Sequence, residues 1–426
     1  MVLACARWAV MDAEVIVVGA GLAGLRCANR LVELGRQVLV VESSEVVGGR
    51  VRTDVVDGFR CDRGFQLLNP AYPAVRRWVD VDALALQHFA AGVQVRRSNG
   101  LRVVADPVRA PQLLLQTVRS GYFRPLELAA LGRWAARVLV DPQGVLRQPD
   151  QTLAESFDVA GVSGRLRREI LDPFLAGVLA DSHGGSSANF AKLLVRTFAL
   201  GTPGLPREGM GALPAQLAQG IDPVRLDTRV GAVRGAGTEA AGVTVDGSTL
   251  SARAVVVATD PVTAARLTSR PEPATRGLVT WWFEAPDSPS PLPLLALDGR
   301  RSGPRPPGPV WNAAVMSAAA PSYAPPGRHL VQATCLLDRP DGEASEVEVL
   351  RHVGEIYGCR TAGWQTIIRH HIPLALPAIR PPLNARGQVS LGGGLYVCGD
   401  HRDSASIQGA LVSGHRTADA VHAALT

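Results

Sequence analysis

The strongest constraint on the fold is a glycine-rich turn that follows a short apolar run near the N-terminus. Glu14 to Val18 reads EVIVV, which is typical of a buried parallel strand, and the hexapeptide GAGLAG from Gly19 to Gly24 comes directly after it. Apolar residues then recur at helical spacing from Leu25 to Leu34, and Gln37 to Val41 forms a second apolar run. Strand, glycine turn, helix and strand in this order predict a Rossmann-type βαβ unit.

The residues of this unit predict a dinucleotide site. Gly19 permits a tight turn, Gly21 lets the backbone approach a pyrophosphate, and Gly24 lets the helix pack closely on the strand. The amino end of the helix offers unpaired N–H groups to the phosphates. Glu42 ends the second strand, where its carboxylate would accept hydrogen bonds from the ribose hydroxyls and repel a 2′-phosphate. Both NAD and FAD satisfy this pattern.

Composition favours a globular protein without a nucleic-acid partner. The net charge is +6, but the arginines are scattered, Lys192 is the only lysine, and aromatic residues make up 5%. Apolar residues make up 46% of the 426 residues, which is enough for two interlocked domains. An anionic substrate or membrane surface stays open as a partner.

The cysteines and the apolar runs indicate a cytoplasmic protein without a metal site. No run approaches the length of a membrane span, so any membrane contact would be peripheral. The opening residues 1–10 lack the pattern of a secretory signal, and Met11 is an alternative start. No CxxC pair or Cys/His cluster occurs among the six cysteines, which are Cys5, Cys27, Cys61, Cys335, Cys359 and Cys398.

A second glycine motif follows the acidic residue. Gly48-Gly49-Arg50 and then Thr53 come just after Glu42, and here the sequence resembles the family of FAD-dependent amine oxidases, phytoene desaturases and protoporphyrinogen oxidases. The two glycines would bring backbone N–H groups to the diphosphate, and Arg50 would pair with its anionic oxygens. The resemblance implies FAD as the cofactor of a bacterial flavoprotein.

The resemblance continues in later segments. Asp57-Gly58-Phe59 and the segment from Asp62 to Gln66 resemble the family's chain beneath the isoalloxazine ring, and the segment from Glu208 to Gly211 resembles its glycine and methionine turn. Val230 lies where members of this family have a strand whose backbone groups contact the adenine. Val257-Ala258-Thr259 resembles a strand end near the ribose.

The tail carries the strongest distal match. Val397-Cys398-Gly399-Asp400, the segment from Ser406 to Leu411, and Ser413-Gly414 resemble a motif whose aspartate lies by the ribityl chain. The helix that follows would direct its N-terminus at the N1–C2=O edge of the flavin. Together the resemblance implies FAD contacts at Gly19, Gly21, Leu22, Ala23, Gly24, Glu42, Ser43, Gly48, Gly49, Arg50, Gly64, Phe65, Gln66, Val230, Ala258, Thr259, Gly399, Asp400, Ser406, Ile407 and Ala410.

The expected fold class is α/β, with a Rossmann-type FAD/NAD(P)-binding domain of the two-dinucleotide-binding-domain type and an inserted α+β substrate domain. Residues 107–200 carry helical periodicity, whereas runs such as Val224 to Val230 indicate strands. The predicted domains are 11–88, 206–270 and 386–426 for FAD, 89–205 for a mainly helical insertion, and 271–385 for the substrate sheet.

The resemblance also narrows the reaction. Amine oxidases of the family often carry a lysine near flavin N5, yet no lysine occurs between Thr280 and Met316, and Lys192 falls in the helical insertion. This favours the desaturase and protoporphyrinogen-oxidase branch, which would dehydrogenate a largely apolar small molecule and pass electrons to oxygen, a quinone or another acceptor. No cysteine motif for a covalent flavin link is present, so non-covalent FAD is expected.

Several assignments stay open. An amine oxidase is the alternative enzyme, and an FAD-binding isomerase or non-catalytic partner subunit is an alternative of another class. A monomer and a homodimer both fit. Trp281, Trp282 and Phe283 are expected to pack in the core, and no catalytic role is assigned to His370, His371 or His401.

Overall fold

A computed structural model describes residues 11–235, 241–300 and 305–426 of the chain. The segment 1–10, which contains Cys5, lies outside the described residues. The alternative start, Met11, is the first described residue. Contacts divide the chain into two compact units. The first comprises Met1–Val51, Leu213–Pro273 and Asn384–Thr426, and the second comprises Arg52–Ala212 and Ala274–Leu383.

The strands and helices follow in chain order. The strands are β1 (Val15–Val18), β2 (Val38–Val41), β3 (Thr53–Val56), β4 (Phe59–Asp62), β5 (Gln87–His88), β6 (Gly92–Arg97), β7 (Gly100–Ala105), β8 (Gly204–Leu205), β9 (Val224–Arg225), β10 (Val230–Arg234), β11 (Ala241–Val245), β12 (Ser248–Ala252), β13 (Ala254–Val257), β14 (Thr275–Ala285), β15 (Leu295–Asp298), β16 (Val310–Val315), β17 (His329–Leu336), β18 (Gln365–Pro377), β19 (Ser390–Gly392) and β20 (Leu395–Val397). The α-helices are α1 (Leu22–Glu33), α2 (Pro73–Trp78), α3 (Leu114–Val118), α4 (Pro125–Val140), α5 (Pro142–Leu146), α6 (Leu153–Val159), α7 (Gly164–Leu166), α8 (Asp172–Leu179), α9 (Ala188–Leu200), α10 (Ala212–Ala218), α11 (Pro261–Leu267), α12 (Met316–Ala319), α13 (Glu346–Tyr357) and α14 (Ile407–Leu425).

A six-stranded sheet in the order β19-β20-β13-β1-β2-β9 forms the centre of the first unit. The strands from β20 to β9 run parallel, and Val15 lies opposite Ala254 on one side and Val38 on the other. Strands β1, β2 and β13 are buried along their whole length, because α1 and α14 cover one face of the sheet and the strands β10, β11 and β12 pack against the other. The continuous valine-rich runs of the sequence follow from that burial.

One predicted strand is wrong. The run from Val224 to Val230 was expected to be a single strand, but it forms β9 and β10 with a turn between them. Asp227 adopts a φ of +49°, and its N–H donates to the Ser44 carbonyl at 3.0 Å. A left-handed residue ends a strand, so β9 pairs with β2 while β10 joins the antiparallel sheet β10-β11-β12.

The second unit contains a seven-stranded sheet in the order β18-β14-β17-β16-β15-β6-β7. Trp281 and Phe283 on β14 stack with ring centroids 6.1 Å apart and pack against α13. Trp282 is fully buried on the opposite face of β14, since successive side chains of a strand alternate. All three aromatic residues therefore pack in the core, as the sequence led us to expect.

The helices α3 to α9 lie between residues 114 and 200, which agrees with the predicted helical insertion. The predicted domains were assigned by their expected roles, whereas the two compact units are defined by contacts. The predicted domain limits are therefore not tested by the units and stay a prediction. The two divisions differ chiefly for residues 52–88 and 206–212, which belong to the second unit by their contacts. No helix within the described ranges is long and apolar enough to cross a membrane.

Candidate cofactor site

Three loops leave the same edge of the first unit's parallel sheet. Strands β1, β13 and β20 are neighbours and run in one direction, so their carboxyl ends lie side by side. The Ala258 N–H donates to the Val18 carbonyl at 2.8 Å, and the Cys398 N–H donates to the Val257 carbonyl at 3.0 Å. The turns at Gly19, Ala258 and Gly399 are thus brought together. Ligands of open α/β sheets bind at this kind of edge.

The turn at Gly19 depends on the absence of side chains. Gly19 has a φ of +106°, and a Cβ atom there would lie 2.9 Å from the Ala258 carbonyl oxygen. A Cβ atom on Gly24 would lie 2.0 Å from the Gly19 carbonyl oxygen, which no real contact allows. The first turn of α1 therefore packs directly on the end of β1.

The amino end of α1 is suited to an anion. The helix begins at Leu22 after the N-cap residue Gly21, no side chain caps it within the described part of the chain, and its first turn holds no acidic residue. The Gly48 N–H donates to the Ala20 carbonyl at 2.8 Å, and a Cβ atom on Gly49 would lie 3.4 Å from the Gly21 Cα. Two glycine turns thus form a backbone-lined cradle beside the positive end of the helix.

The carboxylate of Glu42 lies beside this cradle and is buried. Its Oε2 accepts a hydrogen bond from the Ala20 N–H at 2.7 Å, and its Oε1 accepts one from the Ser44 N–H at 2.9 Å. The Ser43 hydroxyl also donates to Oε1, at 3.3 Å. Oε1 already accepts two hydrogen bonds, whereas Oε2 accepts one, so the second lone pair of Oε2 can still accept a hydroxyl donor.

An ion pair joins segments that are 350 residues apart. Arg50 Nη2 donates to Asp400 Oδ1 at 2.7 Å, and the side chain of Asp400 is only 5% exposed. Burial opposes the charge of Arg50, but the attraction of Asp400 outweighs it, so the pKa of the guanidinium is raised from its ordinary value. The GGR motif and the C-terminal motif are therefore parts of one site in the first unit.

The loop around Asp400 is held by the helix that follows it. The Gly399 N–H donates to the Ser413 hydroxyl on α14 at 2.6 Å. α14 begins at Ile407, and its N-cap residue Ser406 accepts a hydrogen bond from the Gly409 N–H at 3.2 Å. This helix is 19 residues long, so its amino end carries a partial positive charge at the same edge as the glycine cradle.

His401 is the most perturbed histidine of the site. Neither of its ring nitrogens has a hydrogen-bond partner among the described residues. Burial lowers its pKa to about 4; Arg402 and Arg50 act in the same direction, while Asp400 and Asp260 oppose them. The ring is therefore neutral at pH 7 and has a free acceptor and a free donor for a bound group.

We expect the stability of the FAD-free protein to depend on pH through His401. Its folded-state pKa is depressed, so the unfolded chain binds a proton first as the pH falls below 6.5. The contribution of His401 to the free energy of unfolding should fall by about 2 to 3 kcal/mol as the pH falls from 6.5 to 4, whereas the raised pKa values of Asp62 and Asp403 act in the opposite direction. Urea unfolding of the wild type and of His401→Gln across this range would isolate this contribution as the difference between the two pH profiles. Equal pH profiles for the two proteins would contradict this assignment.

Sequence reasoning missed one residue that shapes this edge, Asp260, and the structural role of another, Ser413. Asp260 caps α11 by accepting hydrogen bonds from the Val262 and Thr263 N–H groups at 3.0 and 2.9 Å. The dipeptide Asp260-Pro261 is a typical helix start, so the signal was present. Ser413, which holds Gly399, was noticed only as part of the tail motif.

Not all of the predicted contact residues lie in the first unit. Gly64, Phe65 and Gln66 belong to the second unit, where Phe65 makes an edge-to-face contact with Phe89 at 5.9 Å. The remaining residues lie in the first unit, including Thr259 after β13 and Val230 at the start of β10. Their assignment as FAD contacts stays a prediction.

Two segments with family resemblance meet within the second unit. The buried carboxylate of Asp62 accepts hydrogen bonds from the Met210 N–H at 3.0 Å and from the Tyr323 hydroxyl at 2.8 Å. Burial raises its pKa to about 6, although these donors oppose the shift. The segments around Asp62 and Met210 thus form one hydrogen-bonded structure.

Comparison with known proteins decides the family. The family model described as flavin-containing amine oxidoreductase matches residues 22–422, which is nearly the whole chain. The chain belongs to this family. The resemblance inferred from the GGR and C-terminal motifs is confirmed. Members of the flavin-containing amine oxidoreductase family use FAD. This confirms the cofactor that the sequence predicted.

The curated relatives match only over a short stretch. Putrescine oxidase from Kocuria rosea is 41% identical over 70 residues, which is 16% of this chain and 15% of that protein. The chain thus spans about one seventh of the length of the curated relatives it matches. Activity and substrate are not carried over from so short a match.

Solved structures show the fold over the full length. A protein from Exiguobacterium sp. 255-15, provisionally named a protoporphyrinogen oxidase, has a TM-score of 0.72 at 18% identity and covers 97% of this chain and 99% of its own. A fatty acid isomerase from P. acnes that produces CLA has a TM-score of 0.69 at 14% identity, with coverage of 97% and 99%. The predicted fold class, α/β with a Rossmann-type FAD-binding domain, is confirmed.

The first unit fits FAD by its own geometry. The contact between α1 and β1 that shapes the glycine cradle leaves no room for a Cβ atom at Gly24, and the amino end of α1 has neither a side-chain cap among the described residues nor an acidic residue in its first turn. Arg50 adds a cation at the same edge, and the ring of His401, which has no hydrogen-bond partner among the described residues, adds a hydrogen-bonding group. These are the features that a diphosphate and a polar ring edge require.

Proposed function

We propose that the chain is an FAD-dependent oxidoreductase that dehydrogenates a largely apolar small molecule and forms a C=C or C=N bond. Bound FAD would supply a hydride acceptor at its N5 atom. The chain's own residues would bind and orient the cofactor without a covalent link. Oxygen, a quinone or another acceptor would take up the electrons.

The location of Lys192 supports the desaturase and oxidase branch over the amine-oxidase alternative. This only lysine lies on α9, where its Nζ is 5.7 Å from the centroid of the Trp134 ring on α4. Burial lowers its pKa from the ordinary value. No lysine occurs on any strand of the seven-stranded sheet, where the amine oxidases of the family often carry one.

The histidines of β18 are already engaged, which supports leaving them without a catalytic role. His370 Nε2 lies 2.9 Å from Asp54 Oδ2, and His371 Nε2 lies 2.8 Å from Glu343 Oε1. Local carboxylates of this kind orient an imidazole and satisfy one of its nitrogens. Catalysis would then depend on how the chain positions the substrate, with little acid or base chemistry from side chains.

In the first unit we assign a role to each group at the sheet edge. The N–H groups at the start of α1 and at Gly48 and Gly49 would bind the diphosphate, with Arg50 as the cation. Glu42 would accept the ribose hydroxyls, and Asp400 would hold Arg50 and lie by the ribityl chain. The amino end of α14 would stabilise negative charge on the flavin ring.

Anaerobic reduction of the purified holoprotein tests the proposal. Apolar donors with activated C–H bonds, such as polyene precursors and porphyrinogens, should bleach the flavin absorption, whereas primary and secondary amines should not. Lys192→Met serves as the control and should leave the bleaching rate unchanged. Bleaching by an amine alone would select the amine oxidase. An oxidised flavin in the presence of every donor would favour an isomerase or a partner subunit, and either result would overturn the proposal.

A further inference from the structure

One half-buried arginine of the first unit lacks an anionic partner within the described part of the chain. Arg402 lies two residues after Asp400, and its Nε atom is buried without a hydrogen-bond partner among the described residues. Arg30, Arg36 and Arg253 of the same unit instead form ion pairs of 2.7 to 2.9 Å with carboxylates. A buried donor without an acceptor is unfavourable, so the position of Arg402 favours an acceptor that the described residues do not supply.

The backbone and the side-chain stem of Arg402 are held in place. Its N–H donates to the Gly399 carbonyl at 3.0 Å, and its carbonyl accepts a hydrogen bond from the Gly387 N–H at 2.9 Å. A Cβ atom on Gly387 would lie 3.4 Å from the Cα and Cδ atoms of Arg402, so the arginine stem lies directly along this backbone. The guanidinium is therefore preorganised, and little side-chain freedom would be lost when an anion binds to it.

Other arginines lie around Arg402. Burial lowers the pKa of the Arg402 guanidinium, and the nearby, exposed Arg270 lowers it further. Arg416 Nη1 donates to the Arg402 carbonyl at 3.5 Å, and Arg416 Nη2 donates to the Gly387 carbonyl at 3.0 Å. The exposed Arg386 comes directly before Gly387. We call Arg270, Arg386, Arg402 and Arg416 the arginine cluster.

Asp403 is the carboxylate that the structure places within the arginine cluster. Its Oδ2 lies 3.5 Å from Arg416 Nη1, and its side chain is 12% exposed. Burial raises its pKa to about 6, although Arg416 and Arg386 oppose the shift. A carboxyl group with this pKa is mostly ionised at pH 7, so one negative charge stands against the four positive charges of the cluster. The cluster therefore has an excess of positive charge to offer to a ligand.

We propose that the arginine cluster binds the phosphate group of a small molecule other than FAD. The planar donors of a guanidinium match the oxygens of a phosphate or a carboxylate, and a phosphate carries the larger charge. The excess positive charge of the cluster therefore favours phosphate. We assigned the diphosphate of FAD to the glycine cradle and to Arg50, so it is not the expected occupant. This site lies within the first unit and does not depend on the reaction proposed above.

Binding of inorganic phosphate to the FAD-loaded protein tests this site. Calorimetric titration in HEPES buffer at low salt should show one phosphate bound per chain, and acetate should bind at least about tenfold more weakly. R402Q should weaken phosphate binding at least about tenfold, because the preorganised guanidinium is lost. R270Q should weaken it severalfold, since the charge of this exposed residue is screened by solvent.

The matched control is R266Q on α11. Arg266 is exposed and pairs with Glu272 at 2.8 Å, so its loss should leave phosphate binding unchanged. Circular dichroism and flavin absorption should show that all three variants are folded and retain FAD.

Three results would overturn the proposal. The first is an absence of phosphate binding to the wild type, or equal binding by the wild type, R402Q and R270Q. The second is phosphate binding that occurs only in the FAD-free protein and is displaced by FAD, because the cluster would then hold the FAD diphosphate. The third is acetate binding as tight as phosphate binding, which would assign the cluster to a carboxylate ligand.

Discussion

Replacing Gly24 by alanine is expected to weaken FAD binding strongly and to lower the stability of the first unit sharply. The new Cβ atom would lie 2.0 Å from the Gly19 carbonyl oxygen, which belongs to the backbone and cannot rotate away. Helix α1 would have to move off the end of β1, and the glycine cradle would open. We expect the free energy of unfolding to fall by about 3 kcal/mol, the upper range for overpacking. FAD affinity should fall by at least about a hundredfold, or about 2.7 kcal/mol.

The matched control for this change is Gly132→Ala on α4. A Cβ atom on Gly132 would meet nothing within 4 Å, and the residue is exposed on a helix. Alanine there should raise the stability by about 0.5 to 1 kcal/mol and leave FAD affinity unchanged. Flavin titration and urea unfolding of both variants would measure these effects. FAD binding by Gly24→Ala with the affinity of the wild type would contradict the role of the cradle.

The second large effect is expected from Asp400→Asn. This change removes the carboxylate from the partly buried ion pair of Arg50 and Asp400, and removal of one partner of a fully buried pair typically costs about 3 to 5 kcal/mol. Because the Arg50 side chain is 30% exposed, we expect the lower end of this range. FAD affinity should fall as well, because the loop at Gly399 and the GGR segment lose their connection.

Asp419→Asn provides the comparison for this variant. Asp419 pairs with Arg30 at 2.8 Å, but its side chain is 47% exposed, and exposed pairs contribute less than about 1 kcal/mol. Urea unfolding and flavin titration should separate the two variants clearly. If Asp400→Asn were no more destabilising than Asp419→Asn, the ion pair would not be a structural part of the site.

The sequence predicts the first unit well where local pattern and parallel packing agree. Buried parallel strands need continuous apolar runs, so β1, β2 and β13 were visible, and the glycine hexapeptide marked the turn into a helix. The helix begins at Leu22 and not at Leu25, because Gly21 is its N-cap residue and Gly24 lies in its first turn. Boundaries of this kind are set by capping and not by apolar spacing.

Other features depend on contacts that no local pattern carries. The strand break at Asp227 follows from a left-handed residue that pairs with the backbone of Ser44. The ion pair of Arg50 and Asp400 joins residues 350 positions apart, so neither residue indicates the other. The buried, unpartnered ring of His401 becomes visible only when the loops around it are in place.

Hydrogen exchange of the backbone amides with and without FAD tests the central claim most directly. The claim is that the Gly19 turn and the Asp400 turn bind one dinucleotide. Peptides containing residues 19–24, 48–50 and 399–410 should gain protection together, at one equivalent of FAD and along a single titration curve. Protection of the Gly19 turn without any change at 399–410, or separate titrations of the two regions, would contradict it.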